Sequence, residues 1–256
     1  MTKTLSLYVE RNTFIHRIDP INKVLYACVV VAITFILPYE LVGALLILVS
    51  ILVLLAGKVF RKVIPLIEFS FIIMLSIVII QGLFHPGNRI PVFHIARITF
   101  YKEGLLYAFN LSMRVVNILL AFAILVLTTK PSELIEALVK KGLSPRFGYV
   151  LSSALQIIPE MISTVDSIMD AQRSRGLETE GNIAVRIRAF FPLIGPVVMS
   201  SLIETRERAM ALEVRAFNSK EKKTFLSERL AIRSDMVIRV SLFVMLVLSI
   251  ILKVLL

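Results

Sequence analysis

Five stretches of this chain are long and apolar enough to leave water, and that pattern restricts the fold more than any motif does. A bilayer-spanning helix needs roughly 20 mostly apolar residues, because in hydrocarbon the backbone must satisfy its own donors and acceptors. The stretches are Val24 to Pro38, Leu41 to Gly57, Val63 to Phe84, Gly104 to Thr128 and Met236 to Leu256. The first two are short, and Ile21 with a snorkelling Lys23 extends the first. Pro38, Tyr39 and Glu40 form a tight turn between them. With 57% hydrophobic residues and a mean hydropathy of +0.84, the expected fold class is all-α, a polytopic helical membrane protein with the lipid bilayer as its solvent.

The net charge of +11 suits membrane headgroups better than nucleic acid, since no stretch interleaves its basic residues with exposed aromatics. Lys3, Arg11, Arg17 and Lys23 precede the first span, Lys58, Arg61 and Lys62 follow the second, and the turn between those spans has no basic residue. The positive-inside rule then places the N-terminus in the cytoplasm of a multi-pass cell-membrane protein. The loop from His85 to Glu103 falls outside and carries Arg89, Arg97 and Lys102, against the rule. The arrangement is kept because the densely charged stretch from Lys130 to Asp235 is then cytoplasmic. No cleavable leader is expected, since Met1 to Lys23 holds Lys3, Glu10, Arg11, Asp19 and Lys23 where an apolar core would be needed. Cys28, the one cysteine, reads as a small core residue.

Three segments result: a four-span membrane domain at 1–130, a cytoplasmic segment at 131–235 with about three amphipathic helices, and a closing span at 236–256. Within the middle segment Met199, Leu202, Ile203, Met210, Val214 and Phe217 fall within about 60° of one direction at 100° per residue. Glu204 and Arg208 lie opposite, at a spacing that favours an ion pair. An earlier helix, from about Arg146 to Arg175, places Met161, Val165, Ile168 and Gln172 on one face and Ser163, Asp166, Ser167, Asp170 and Ser174 on the other. Gly176 can take the left-handed conformation that ends it, displaying Arg175 at a helix C-terminus, where a cation is favoured.

Two arginine motifs thus stand near the ends of amphipathic helices: Ser174-Arg175-Gly176 and Val214-Arg215-Ala216. Arginine offers a rigid fork of donors suited to carboxylates and carbonyls on a partner. Around them the chain resembles a known family, the transmembrane T components of energy-coupling factor transporters, which include the cobalt-transport protein CbiQ. The resemblance is carried by His16-Arg17-Ile18-Asp19-Pro20-Ile21-Asn22-Lys23, Thr128-Thr129-Lys130-Pro131, Ile157-Ile158-Pro159, Ala171 to Gly176 and Arg208 to Phe217. It implies that the middle segment holds coupling helices whose arginine motifs dock on two cytoplasmic ABC-type ATPase subunits. It further implies a separate substrate-binding membrane subunit, the S component, that holds a vitamin, vitamin precursor or metal ion. On that reading ATP is bound by the partners, and this chain is non-catalytic and needs no cofactor of its own. The motifs depart from the family's Ala-Arg-Gly pattern at Ser174, Val214 and Ala216. Without glycine at 216, Asn218 is the residue expected to tolerate a left-handed turn, and Ala216→Gly is expected to be nearly neutral.

Arg114, near the middle of the fourth span, carries a charge that costs at least a few kcal/mol in hydrocarbon, so it is a functional candidate or a structural partner for Glu68 in the third span. Pro65, Pro159, Pro192 and Pro196 are expected to kink or start helices. His16, His85 and His94 have no zinc spacing, so no metal site is expected. There is no phosphate-binding G-x-x-x-x-G-K-[ST] loop, no H-E-x-x-H and no G-x-S-x-G. The alternative, a self-sufficient secondary transporter, requires polar groups converging from several spans and some internal symmetry. Only Arg114 and Glu68 qualify, and no repeat is visible.

Overall fold

The computed structural model describes residues 8–11, 13–95, 98–177, 182–219 and 233–255. Lys3, Arg97 and the stretch 220–232 lie outside them. The elements, in order, are α1 (Phe14–Arg17), α2 (Pro20–Ile36), α3 (Glu40–Ala56), α4 (Phe60–Phe84), β1 (Pro91–Ile95), β2 (Ile98–Tyr101), α5 (Lys102–Thr128), α6 (Pro131–Lys140), α7 (Pro145–Ser174), α8 (Ile183–Val214) and α9 (Arg233–Leu255). The protein is an all-α polytopic membrane protein whose described sheet is one antiparallel hairpin, β1 with β2. Each of the five apolar stretches falls mainly in one helix, α2, α3, α4, α5 or α9, with Leu37, Pro38 and Gly57 beyond the ends of α2 and α3 and Leu256 outside the described residues. By length and composition α4, α5, α8 and α9 can cross a membrane, while α2 and α3 have 17 residues each. The apolar first half of α8 therefore meets a criterion that the sequence reading gave only to the other helices.

The chain forms two compact units, Val139–Glu228 and, around it in sequence, Ser6–Leu138 with Arg229–Leu256. In the second of these, α5 is the central rod, packed by α2, α3 and α4, while α9 lies against α2. One cluster joins Val30, Ile33, Leu46 and Leu242; the other joins Leu54, Val63, Leu120 and Ile124. Outside this core the surface is apolar, with Phe69, Phe71 and Ile72 of α4 and Phe243 of α9 all more than 60% exposed, as suits a lipid-facing wall. Cys28 belongs to that outer face rather than the core, because its position on α2 points away from α5 and α9. The approach of α4 to α5 requires Gly104, where a Cβ would stand 2.2 Å from the carbonyl oxygen of Gln81.

Some polar groups in this core are partnered, while Ser112 Oγ, Asn117 Oδ1 and Thr129 Oγ1 are buried without a hydrogen-bond partner among the described residues. The Tyr26 hydroxyl meets Ser50 Oγ at 2.8 Å, and Asn117 Nδ2 donates to the carbonyls of Gly43 and Met113, both at 3.1 Å. Of the four prolines singled out above, none starts a helix. Pro65, Pro159, Pro192 and Pro196 all lie inside α4, α7 and α8.

In the other unit, α7 and α8 run antiparallel. The start of α7 meets the end of α8 through the Tyr149 and Phe217 rings, 5.2 Å apart, and Glu160 pairs with Arg208 further along. Arg208 therefore bonds across to α7 instead of to Glu204 on its own helix. An i,i+4 pair on one helix contributes only a few tenths of a kcal/mol, so a partner on the neighbouring helix displaces it easily. Each helix starts on a side-chain cap: Ser144 accepts from the Phe147 amide and Asn182 from that of Ile183. Pro145 fills the first helical position, which lacks an intrahelical acceptor anyway.

Candidate docking site

Both arginine motifs close their helices in one geometry. At α7 the Gly176 amide donates to the Arg173 carbonyl (2.9 Å) and the Leu177 amide to that of Gln172 (3.0 Å). At α8 the Ala216 amide donates to Glu213 (2.9 Å) and the Phe217 amide to Leu212 (3.0 Å). This is the Schellman closure, with the arginine as the last helical residue and a left-handed residue after it. The left-handed residues are Gly176, at φ 91°, and Ala216, at φ 54°. The turn thus falls on Ala216 and not on Asn218. The reason is position: the two closing hydrogen bonds fix the left-handed residue directly after Arg215, and a turn at 218 would break both. An alanine in that conformation costs about 1 to 2 kcal/mol relative to right-handed backbone.

Leu177 and Phe217 fold back, half-buried, onto their helices, and both arginines project into solvent. Among the described residues neither the Arg175 nor the Arg215 guanidinium has a hydrogen bond or an ion pair. Val214 is 87% exposed and Ser174 turns its hydroxyl inward to the Asp170 carbonyl, at 3.0 Å. Antiparallel packing sets the two motifs far apart. Because Phe217 packs on Tyr149, the Arg215 end lies near the start of α7, and Arg175 lies about 40 Å along that helix at 1.5 Å per residue. Two cations so separated present two contact points. Glu160 and Arg208 brace the helices between them, and the exposed Met199, Leu202, Ile203 and Met210 side chains form an apolar face of α8 that no described residue covers.

Arg114 and Glu68 are not brought together; no ion pair joins them, and Glu68 is exposed on α4. Arg114 instead lies over the Phe35 ring, 5.7 Å from its centre, beside a narrow cleft lined by Thr34, Tyr39, Asn110 and Asn117. The turn between α2 and α3, at Leu37–Tyr39, lines the same cleft, so the half-buried charge stands beside that turn.

The His16–Lys23 motif, given no role above, is a buried polar knot. The His16 ring lies 2.7 Å from Thr13 Oγ1 and 3.0 Å from the Val9 carbonyl, and burial pushes its pKa below the ordinary histidine value. Asp19 caps α2 through the Ile21 amide (3.1 Å) and pairs with Arg239 (2.6 Å). Asn22 accepts from Arg239 Nε (2.6 Å) and donates to Asp235 (3.0 Å), while Lys23 Nζ donates to the Thr128 carbonyl (2.7 Å). Nearby Lys130 pairs with Glu10 at 2.8 Å, which holds that carboxyl below its usual pKa. Asp235 and Arg239 were missed in the sequence, although a signal existed: a charged residue one turn into an otherwise apolar span demands a partner. Among the described residues no group of three or more His, Cys, Asp or Glu side chains is placed to hold a metal ion.

Comparison with known proteins shows the family. The chain is 31% identical over 260 residues to an energy-coupling factor transporter transmembrane protein, EcfT, of Acidaminococcus fermentans, covering 95% of each chain. It is 30% identical over 263 residues to EcfT of Lactococcus lactis subsp. cremoris, again 95% of each, and 28% identical over 236 residues to EcfT of Clostridium kluyveri, 88% and 87%. Residues 11–225 match the family described as CbiQ, cobalt transport protein. With the match running from the knot through both arginine-capped helices, the chain belongs to the CbiQ family of transporter transmembrane proteins, that of the energy-coupling factor T components.

Proposed function

We propose that this chain is the coupling subunit of an energy-coupling factor importer. In this reading two ABC-type ATPase subunits dock on Ser174-Arg175-Gly176 and Val214-Arg215-Ala216, and their nucleotide-driven movement is passed to a substrate-binding membrane subunit. The observation that carries the reading is the pair of exposed, unpartnered arginines closing α7 and α8 in the same geometry at opposite ends of one antiparallel pair. A guanidinium at a helix C-terminus is preorganised, so little side-chain entropy is lost when it meets a carboxylate or carbonyl. The uncovered apolar face of α8 supplies a surface for the S component or for lipid. A vitamin, vitamin precursor or metal ion held by that subunit is the proposed cargo, and the chain performs no chemistry itself. In this reading the N-terminus and the arginine-capped ends of α7 and α8 face the cytoplasm, where ATP is.

Affinity purification of the chain from its native membrane in mild detergent, with partners identified by mass spectrometry, tests this. Two ABC-type ATPases and a small membrane protein are expected. Recovery of the chain alone, transporting in liposomes without them, would replace the proposal with a secondary transporter built around Arg114.

A further inference from the structure

The unit formed by Val139–Glu228 is an insertion: the chain leaves the membrane unit after α5 and α6 and returns to it at α9. Two membrane-unit elements that flank the insertion, the end of α5 and the start of α9, are tied to the same turn of α2. On the outgoing side, Lys23 Nζ holds the carbonyl of Thr128, the last residue of α5, at 2.7 Å, and both residues are at most 5% exposed. On the returning side, Asn22 Nδ2 donates to the Asp235 side chain at 3.0 Å and to its carbonyl at 3.2 Å. The Asp19 amide donates to Asp235 Oδ1 at 3.2 Å, while Arg239 reaches back to Asn22 and Asp19, both at 2.6 Å. Asn22 and Asp235 are 1% and 9% exposed, so water competes little for these bonds, and each buried group would be left unpaired if the segments parted.

We propose that Asp19, Asn22 and Lys23 form a clamp that holds the end of α5 and the start of α9, which flank the α7–α8 unit in sequence, to one point of α2, so that a displacement passed on by that unit reaches α2, α5 and α9 together. This rests on the coupling function proposed above. A loose connection would absorb displacement by spreading α5 from α9; a clamped one delivers it to the membrane helices as one body. Coupling between distant sites travels through contiguous polar networks and rigid elements of this kind. The clamp residues are positioning residues: they touch neither ATPase nor cargo.

The complete complex in proteoliposomes tests this, with ATP hydrolysis, cargo uptake and ATPase recovery measured together. Lys23→Met and Arg239→Gln should leave recovery and hydrolysis at the wild-type level and lower uptake per ATP by tenfold or more, with Arg239→Lys intermediate. Unchanged uptake per ATP, or loss of uptake only in step with loss of ATPases, would overturn the clamp. A second arm covers variants that fold poorly. In a Cys28→Ser background, Asn22→Cys with Asp235→Cys should be uncoupled when reduced and regain uptake when the two thiols are bridged by a short bifunctional reagent. If bridging leaves uptake low while hydrolysis continues, or the reduced form transports as wild type, the clamp is wrong. Failure of the underlying function would show differently, as a wild-type complex with no ATPases or no ATP-driven uptake.

Discussion

Lys23 and Arg175 are both cations near a helix end, and the protein treats them oppositely. Lys23 is 5% exposed and bonded to the Thr128 carbonyl at 2.7 Å; Arg175 is exposed, and among the described residues its guanidinium bonds to nothing. A buried charge is tolerable only when fully partnered, and removing the partner leaves a desolvated group that costs several kcal/mol. An exposed guanidinium contributes little to folding and keeps its donors free for another molecule. The membrane unit therefore buries charges that hold it together, whereas the α7–α8 unit, beside the Glu160–Arg208 pair that braces it, displays two arginines at its surface.

The contrast can be broken most sharply at the displayed end. Arg175→Glu and Arg215→Glu should each cut uptake by about 30-fold or more, as expected for loss of a central interface arginine worth 2 kcal/mol or more. Melting of the detergent-solubilised protein should not change. A melting change as large as the uptake change would make these arginines structural. At the buried end the balance should reverse. Arg239→Ala, which strands Asp19 and Asn22, should destabilise the chain by about 2 to 3 kcal/mol, read as a clear drop in melting temperature without loss of ATPase recovery.

A smaller effect separates the two displayed ends from each other. Ala216→Gly should stabilise the end of α8 by about 0.5 to 1 kcal/mol, because glycine adopts the left-handed turn freely but loses more entropy on folding. Gly176→Ala should cost a similar amount, since its φ of 91° is unfavourable for any side chain. Amide exchange at Leu177 and Phe217 would report both.

The smallest effect concerns His16. Its folded-state pKa lies below 6.5 because burial penalises the imidazolium, so below that pH the unfolded chain binds the proton more readily. Stability from this residue is full above pH 6.5 and declines as the pH falls toward the lowered folded value. His16→Gln should remove that part of the pH dependence in a melting series, and an unchanged slope would assign it elsewhere.

The helices were legible because hydrocarbon imposes length and composition, and each of the five stretches in the sequence falls mainly in one helix. The arginine-capped ends were legible at Gly176, where glycine signals a left-handed turn, and misplaced at Ala216, where the backbone closure overrides residue preference. The knot was invisible for another reason. Asn22 and Asp235 are separated by most of the chain, and no local pattern brings α2 to α9. Arg208 shows the same limit, since its helical spacing favours Glu204 while the fold offers Glu160.

The most direct test is the affinity of the purified chain for its ATPases, measured for wild type, each single arginine reversal and the double reversal. Two contact points on opposite ends of α7 and α8 predict that each single variant binds at least tenfold more weakly and that the double variant shows no measurable binding. Wild-type affinity in the double variant would contradict the account, because the two exposed arginines would then not be where the ATPases dock.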